Sequence, residues 1–334
     1  METNNMTIYG IQQRGHQLFW MSGYLITIIL SVLGNIIILL ATVKYKAIKL
    51  DKVTVTLILN IALSDLGHTM TTVVPRTAGV YDPEWVIGLG RVVGEIRVCF
   101  GYYFYQSSMF LVMTLNLSKV TRLLMPLRVT RSRSGRMIAG IVWVGSALWP
   151  ALFLLVDPRD TYFDYRVYVA NYGFRSPVWV YLLPVVVVML GVLPNLVVVV
   201  TTIVLLVLAR RISRRHKDRL QRLGIVTVIL IAIVYCISNF PLSVYLIGQC
   251  SGAAQTDEEG REVGTWYIEF YRFAWNVIPL NNLANVVIYT CSINSFREFV
   301  RDKLWLGCRR RNAGSDRNMN MVVVQRSTEI SKDL

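Results

Sequence analysis

The chain has 334 residues, of which 54% are hydrophobic and 16% are charged, and its formal net charge is +15. Soluble globular domains carry about 25% charged residues, so this composition excludes an ordinary soluble domain and indicates a membrane protein.

Seven windows of mostly apolar residues follow one another along the sequence, each long enough for a helix to cross a hydrocarbon core of roughly 30 Å. They predict transmembrane helices at 19–43, 54–74, 96–117, 137–156, 178–208, 223–247 and 267–291. The fifth window exceeds one crossing, so we expect a tilted or projecting helix, kinked at Pro184 and Pro194.

Basic residues are divided unequally between the two sides of these spans. Of the 35, 26 lie in the segments after the odd-numbered spans and in the C-terminal tail. The positive-inside rule therefore predicts a multi-pass membrane protein with its N-terminus outside and its C-terminus in the cytoplasm. An anionic inner leaflet accounts for the net charge, so membrane lipids are expected partners and nucleic acid is not. The sequon Asn5-Met6-Thr7 then predicts glycosylation of Asn5.

Four regions are expected: an extracellular N-terminus (1–17), a transmembrane bundle (18–293), an amphipathic membrane-surface helix (294–308) and a disordered cytoplasmic tail (309–334). Apolar residues from Phe296 to Trp305 recur at helical spacing, with basic residues on other faces, which is typical of an interfacial helix. Cys308 beside three arginines predicts palmitoylation, with an unmodified thiol as the alternative.

The predicted spans contain very few ionisable residues in their interiors, and Asp65 is the clearest example. Such residues are costly in a bilayer and usually mark a functional site. The alternative is a buried polar residue that is merely hydrogen-bonded to neighbouring amides.

Several short motifs occur in a characteristic order and spacing: Gly34-Asn35, Leu63-Ser64-Asp65, Trp85-Val86-Ile87-Gly88, Trp143, Pro194, Pro241 and Asn285-Val-Val-Ile-Tyr289. Together they resemble the rhodopsin-like G-protein-coupled receptors, from Gly34 to Cys308. The resemblance implies an all-α membrane protein, a seven-transmembrane bundle with a short amphipathic interfacial helix after the seventh span. It also implies a cell-surface receptor without catalytic chemistry that transmits ligand binding to a heterotrimeric G protein.

The resemblance also implies a polar pocket that can hold a sodium ion favouring the inactive state. Its residues would be Asp65, Ser108, Asn281, Asn282 and Asn285. Carboxylate, hydroxyl and amide oxygens suit a hard cation. A water-filled network without an ion is the alternative, and no cofactor is required.

Three positions of the motifs have implied packing roles. Asn35 would bridge the first, second and seventh helices through hydrogen bonds, while Trp143 and Pro194 would support helix packing.

At the inner end of the third span the chain departs from the family. Pro126-Leu127 sets the register, which places Lys119 where the family has an arginine. Ser118 and Gln221 replace the two acids that restrain that arginine. We therefore expect a weak inactive-state lock and measurable basal activity.

In the family, two tyrosines are the expected partners of this cation in the active state. Here Thr202 replaces one of them, whereas Tyr289 is retained. Lys119, Leu127 and Tyr289 are the predicted coupling residues. A lysine that only marks the membrane boundary is the alternative.

The sixth span reads Ser238-Asn239-Phe240-Pro241, which keeps the proline kink but lacks the family's tryptophan. Asn239 could join the network of Asp65. The second outer loop, 157–177, has no cysteine, so the family's usual disulfide cannot form. A bond between Cys99 and Cys250 and two free thiols both remain open.

The ligand is unknown, either a small molecule or a peptide. The turn 99–106 has no acid to bind an amine, and all eight lysines lie on the predicted cytoplasmic side, which excludes retinal. An aromatic pocket could include Tyr102, Tyr103, Tyr105 and Gln106, although ordinary helix packing is an alternative.

Other classes of protein fit less well. The three histidines are scattered, which excludes a metal hydrolase. A transporter would be expected to have two repeated halves, and the sequence shows no such repeat. The main competitor is a weakly signalling or non-signalling, receptor-like scaffold or decoy.

Overall fold

The computed structural model describes residues 2–44, 50–81, 90–125, 132–156, 161–164, 169–172, 188, 192–215, 219–250, 270, 273–274, 277 and 280–305. The helices are α1 (Glu2–Val43), α2 (Lys52–His68), α3 (Val74–Tyr81), α4 (Gly90–Leu124), α5 (Ser132–Val156), α6 (Leu193–Arg215), α7 (Arg219–Cys250), α8 (Leu280–Ser292) and α9 (Asn294–Phe299). Wider π-helical turns occupy Thr69–Val73, which joins α2 to α3, and Val300–Trp305, which follows α9.

Within these residues, four helical segments are long and apolar enough to cross a membrane: Met21–Val43, Lys52–Gly79, Leu193–Arg210 and Ile225–Val244. They coincide with the first, second, fifth and sixth predicted spans. The third and fourth predicted spans lie within α4 and α5, and the described part of the seventh ends in α8. The chain is therefore a helical membrane protein.

The distribution of apolar side chains also fits a lipid environment. Large aliphatic residues such as Ile29 and Leu196 are exposed on the outer faces of α1 and α6. Leu57, Leu111 and Ala232 are fully buried on α2, α4 and α7. Lipid tails are as apolar as leucine, so the exposed faces need no protein cover.

α4 is long enough for a span, at 35 residues, but it is less apolar than α2, α5 and α7. Its middle carries tyrosine, glutamine and serine between Tyr102 and Ser108. Because α4 contacts α2, α5, α6 and α7, these polar groups face protein more than lipid.

The π-helical turn Thr69–Val73 ends two residues before Pro75. Proline lacks an N–H and its ring clashes with the carbonyl four residues earlier, so a wider turn accommodates it. A Cβ atom at Gly101 would lie 2.6 Å from the Thr72 hydroxyl. Glycine therefore allows α4 to approach this turn closely.

Polar cross-links join the first helices. Trp143 Nε1 on α5 donates to Asn60 Oδ1 on α2 at 2.8 Å. The Asn35 amide donates to Ser31 O of its own helix at 3.0 Å, and the bridge that the resemblance implies for it stays a prediction. The link from α1 is made by the Ser31 hydroxyl, which lies 2.7 Å from that of Thr69.

One short hairpin lies outside the helices. Strands β1 (Thr161–Asp164) and β2 (Val169–Tyr172) pair antiparallel in the loop after α5, with Thr161 opposite Tyr172. Aromatic and β-branched residues favour such a ribbon, whereas hydropathy windows do not detect it.

The predicted amphipathic helix begins as α9. Phe296 is fully buried and packs edge-on against Tyr289, with 6.1 Å between ring centroids. Arg297 is exposed and donates to the carbonyls of Thr290 and Cys291, at 3.0 Å and 2.6 Å, and so caps the end of α8. Its location at a membrane surface stays a prediction.

Candidate functional site

The Asp65 carboxylate joins three helices in the middle of the bundle. The side chain is 2% exposed. Ser108 Oγ on α4 donates to its Oδ1 at 2.7 Å, and Asn285 Nδ2 on α8 donates to its Oδ2 at 3.0 Å. Both donors are neutral, and no cation of the described residues forms an ion pair with Asp65.

A small cavity adjoins this carboxylate, lined by Asp65, His68, Tyr105, Ser108, Tyr235, Asn239 and Asn281. It has room for about one water-sized particle. Among the described residues, four nearby buried polar atoms have no hydrogen-bond partner: His68 Nε2, Tyr235 OH, Asn281 Oδ1 and Asn285 Oδ1. Three of these atoms are oxygens, so the cavity can accept a positively polarised guest.

This donor set fits the predicted sodium ion. Hard cations prefer carboxylate, hydroxyl and amide oxygens, and the site offers all three. His68 and Tyr235 were not among the predicted residues. The signal for His68 was available, because it follows Asp65 by one helical turn, whereas nothing in the sequence placed Tyr235 here.

Asn239 connects the same cavity to α7. Tyr105 OH on α4 donates to Asn239 Oδ1 at 2.8 Å, and Asn239 Nδ2 donates to Tyr235 O at 2.9 Å. Asn239 is 2% exposed and lies two residues before Pro241, which is inside the helix. At the expected position of a tryptophan the chain thus has a hydrogen-bonded amide.

The four predicted ligand residues have different surroundings. Tyr103 packs against Phe104 and Trp143, at centroid distances of 5.2 Å and 5.4 Å, so it belongs to an aromatic packing cluster. Tyr105 lines the cavity. Gln106 is 3% exposed, and Tyr102 lies within electrostatic reach of Arg76 and Arg97.

A second polar site lies at the predicted inner end of the bundle. Lys119 Nζ on α4 is 2.5 Å from Asp51 Oδ2, and Arg122 Nη1 pairs with Asp51 Oδ1. We call these three residues the Asp51 cluster. The two acids that the resemblance assigns to this position are replaced by Ser118 and Gln221, but a third acid, Asp51, pairs with Lys119. The weak inactive-state lock and the basal activity stay predictions.

Asp51 was missed because the contact joins residues 68 positions apart. A signal existed, since Asp51 is the only acid between Lys44 and Lys52 and precedes a predicted span. It is the N-cap of α2 and accepts from Thr54 N at 2.9 Å and from Thr54 Oγ1 at 2.7 Å.

Burial alone would raise the pKa of Asp51, but the charge of Lys119 and hydrogen bonds from Lys119 and Thr54 hold that pKa well below its usual range. The carboxylate is therefore ionised throughout the physiological range.

The other residues near Lys119 have local partners. Ser118 Oγ donates to Leu115 O at 2.9 Å and Thr202 Oγ1 to Val198 O at 2.6 Å. Tyr289 is 1% exposed. None of these described contacts reaches Lys119.

Some predicted residues cannot be placed. Leu127 and Cys308 lie outside the described residues, as do the side chains of Asn5, Gln221, Cys250 and Asn282. Glycosylation, palmitoylation and the pairing of Cys99 with Cys250 therefore stay predictions. Cys99 is buried on α4, and Pro194 is buried at the start of α6.

Comparison with known proteins identifies a family. The family model described as "7 transmembrane receptor (rhodopsin family)" matches residues 34–289. No curated protein sequence matches the chain. The matched region contains Asp65, its neutral donors and the whole Asp51 cluster.

Proposed function

Because the chain belongs to the rhodopsin family of seven-transmembrane receptors, we propose that it couples an extracellular ligand to a heterotrimeric G protein. In this proposal all seven predicted spans cross the plasma membrane, with the N-terminus outside and the tail in the cytoplasm. The chain performs no catalytic chemistry and transmits the signal by helix movement.

The observation that carries the proposal is the polar network around the cavity. Hydrogen bonds from Ser108 and Asn285 reach Asp65, and Tyr105 reaches Asn239, so α2, α4, α7 and α8 are linked at one level. Polar groups at membrane depth are costly unless they are paired, and they usually mark functional sites. A helix movement must exchange these hydrogen bonds for another set, which gives the bundle two distinct arrangements.

Sodium is the guest that suits this cavity. Asp65, Ser108, Asn281 and Asn285 would hold it, and the ion would supply a positive charge that neutralises the buried carboxylate. Its binding would stabilise the arrangement in which these side chains converge, and therefore the resting state. A water-filled network is the alternative, and sodium dependence separates the two.

The ligand site is proposed on the outer side of the cavity. Tyr105 lines the cavity and bonds to α7, so a ligand that displaced its hydroxyl would act directly on Asn239. Tyr102 and Gln106 are on the same helix and are retained as candidates. Tyr103 is assigned to packing.

The G protein is proposed to contact Lys119 and Leu127 at the inner end. Lysine offers a point charge on a flexible stem, which suits the carbonyl-rich C-terminus of a partner helix. The Lys119 side chain is only 11% exposed, so the described arrangement withholds it from such a partner.

Ligand-free nucleotide exchange on a panel of G-protein heterotrimers, at equal surface expression, tests this function. Lys119→Ala should lower the exchange rate about tenfold, since one charged hydrogen bond is lost. Lys119→Arg should raise it about twofold, because a guanidinium donates to two acceptors at once. Leu127→Ala should also lower it, and Lys52→Ala, which removes an exposed lysine at the same end, is the control.

Parent-like rates for all three variants across every G-protein class would reject the coupling role. Lys119 would then be a boundary residue, and a non-signalling scaffold or decoy would be the better interpretation.

A further inference from the structure

Asp51 is held in place by its own helix before any partner is considered. Its backbone is extended, at φ −63° and ψ 148°, and its side chain accepts the N–H and the hydroxyl of Thr54. An N-cap of this kind satisfies a backbone donor that would otherwise lack a partner. The carboxylate therefore occupies a fixed position at the inner end of α2.

Two cations from α4 converge on that fixed carboxylate. Lys119 and Arg122 are three residues apart and therefore share one face of the helix. Lys119 contacts Oδ2 and Arg122 contacts Oδ1, so each carboxylate oxygen has its own cation. Among the described residues, Asp51 is the only acid that forms an ion pair with either one.

The exposure of the three side chains shows what the cluster restrains. Asp51 is 30% exposed, Arg122 is 23% exposed and Lys119 is 11% exposed. A charge that is this far removed from water needs a partner, because its hydration is largely lost. Removal of Asp51 would leave two neighbouring cations that repel each other, and both would move toward solvent.

The surface that would be released is the one that the proposed coupling requires. A partner helix that presents its C-terminal carbonyls competes with Asp51 for the same two cations. The Lys119 ammonium has three donors, but it is directed at Oδ2 and its side chain is 11% exposed, so a partner helix reaches it only when it leaves the contact with Asp51.

We propose that Asp51 is a positioning residue that holds Lys119 and Arg122 against the start of α2 in the resting receptor and yields them to the G protein. This role rests on the proposed function. It replaces the two acids that are missing from the family's usual positions and predicts a restrained receptor, not one with a weak lock.

Two substitutions separate the charge of Asp51 from its capping role. Asp51→Asn keeps a good N-cap and removes the charge, whereas Asp51→Glu keeps the charge and weakens the cap. The assay is ligand-free nucleotide exchange with the full-length receptor in lipid nanodiscs. Asp51→Asn should raise the exchange rate roughly threefold, in line with a partly exposed ion pair. Asp51→Glu should stay near the parent.

Asp302→Asn is the matched control, because it removes an acid from an exposed pair with Arg301 at 2.8 Å on the segment after α9. It should leave the rate unchanged. The opposite result is a raised exchange rate for Asp51→Glu and a parent-like rate for Asp51→Asn. It would show that Asp51 is only a helix cap and would overturn the proposal.

A measurement without a G protein distinguishes a failure of the proposed role of Asp51 from a failure of the proposed function. Lysines carrying ¹³C-dimethyl groups give NMR signals, and that of Lys119 is identified by its loss in Lys119→Arg. The signal should shift in Asp51→Asn and stay in place in Asp302→Asn. An unmoved signal overturns the proposal. If the signal shifts but the parent and every variant fail to activate any G protein, the proposed function is wrong and the coupling role of Asp51 fails with it.

Discussion

Two carboxylates on α2 show how the same chemical group acquires different roles. Asp65 is 2% exposed and receives hydrogen bonds from the neutral groups of Ser108 and Asn285. Asp51 is 30% exposed and receives Lys119 and Arg122, two cations of the chain itself. The two acids are 14 residues apart, or roughly 21 Å along a helix.

The difference lies in where the compensating charge comes from. At Asp51 the chain supplies more positive charge than one carboxylate needs, so no additional cation is required. At Asp65 the described residues supply none, and a small cavity with unpaired oxygens adjoins the carboxylate. We therefore propose that the cation for Asp65 comes from solution, which assigns a sensing role to Asp65 and a restraining role to Asp51.

The largest expected effect is on the stability of the bundle when Asp65 is truncated. Asp65→Ala removes the acceptor for both Ser108 and Asn285, and each buried donor left without a partner costs about 1–3 kcal/mol. The apparent unfolding temperature in nanodiscs should fall by several degrees, and by more than for Asp51→Ala. Equal losses for the two variants would contradict the difference in burial on which the comparison rests.

A smaller effect concerns pH and the Asp51 cluster. Asp51 faces Lys119 and Arg122 from α4, and its pKa is held below the ordinary value of 3.8. Its contribution to stability is therefore fully present above that value and is lost only as the pH falls through the lower pKa. The contribution itself should be about 0.5–1 kcal/mol, as for a partly exposed pair.

Thermal unfolding of the parent and of Asp51→Asn checks this. The difference between the two proteins should stay constant from about pH 8 to about pH 5. A difference that disappears within that interval would show that the carboxylate titrates there and that the cluster is a pH switch.

The sequence predicts the helices well where a single physical signal is strong. Long apolar windows identify the spans of α1, α2, α6 and α7, since a bilayer requires such windows. The β1–β2 hairpin was missed because two four-residue strands in a loop leave no trace in hydropathy.

The candidate sites depend on contacts across the bundle, which periodicity cannot supply. The resemblance pointed to Asp65, Ser108 and Asn285, and the structure brings these three side chains together. It also implied a bridge through Asn35, which stays a prediction, whereas the Ser31 hydroxyl that links α1 to Thr69 was not predicted. For Lys119 the resemblance implied two acidic partners, and the chain has neither of them. It could not identify Asp51 as the partner that takes their place, because a local sequence pattern does not show a contact with a different helix.

The most direct test of the account is the effect of sodium on ligand-free nucleotide exchange. Parent, Asp65→Asn and Asp51→Asn receptors in nanodiscs are compared in sodium chloride and in N-methylglucamine chloride at constant ionic strength. The account predicts that sodium lowers the exchange rate of the parent and, from a higher starting rate, that of Asp51→Asn, while Asp65→Asn does not respond. A parent receptor insensitive to sodium, or an equal response of Asp65→Asn, would contradict it.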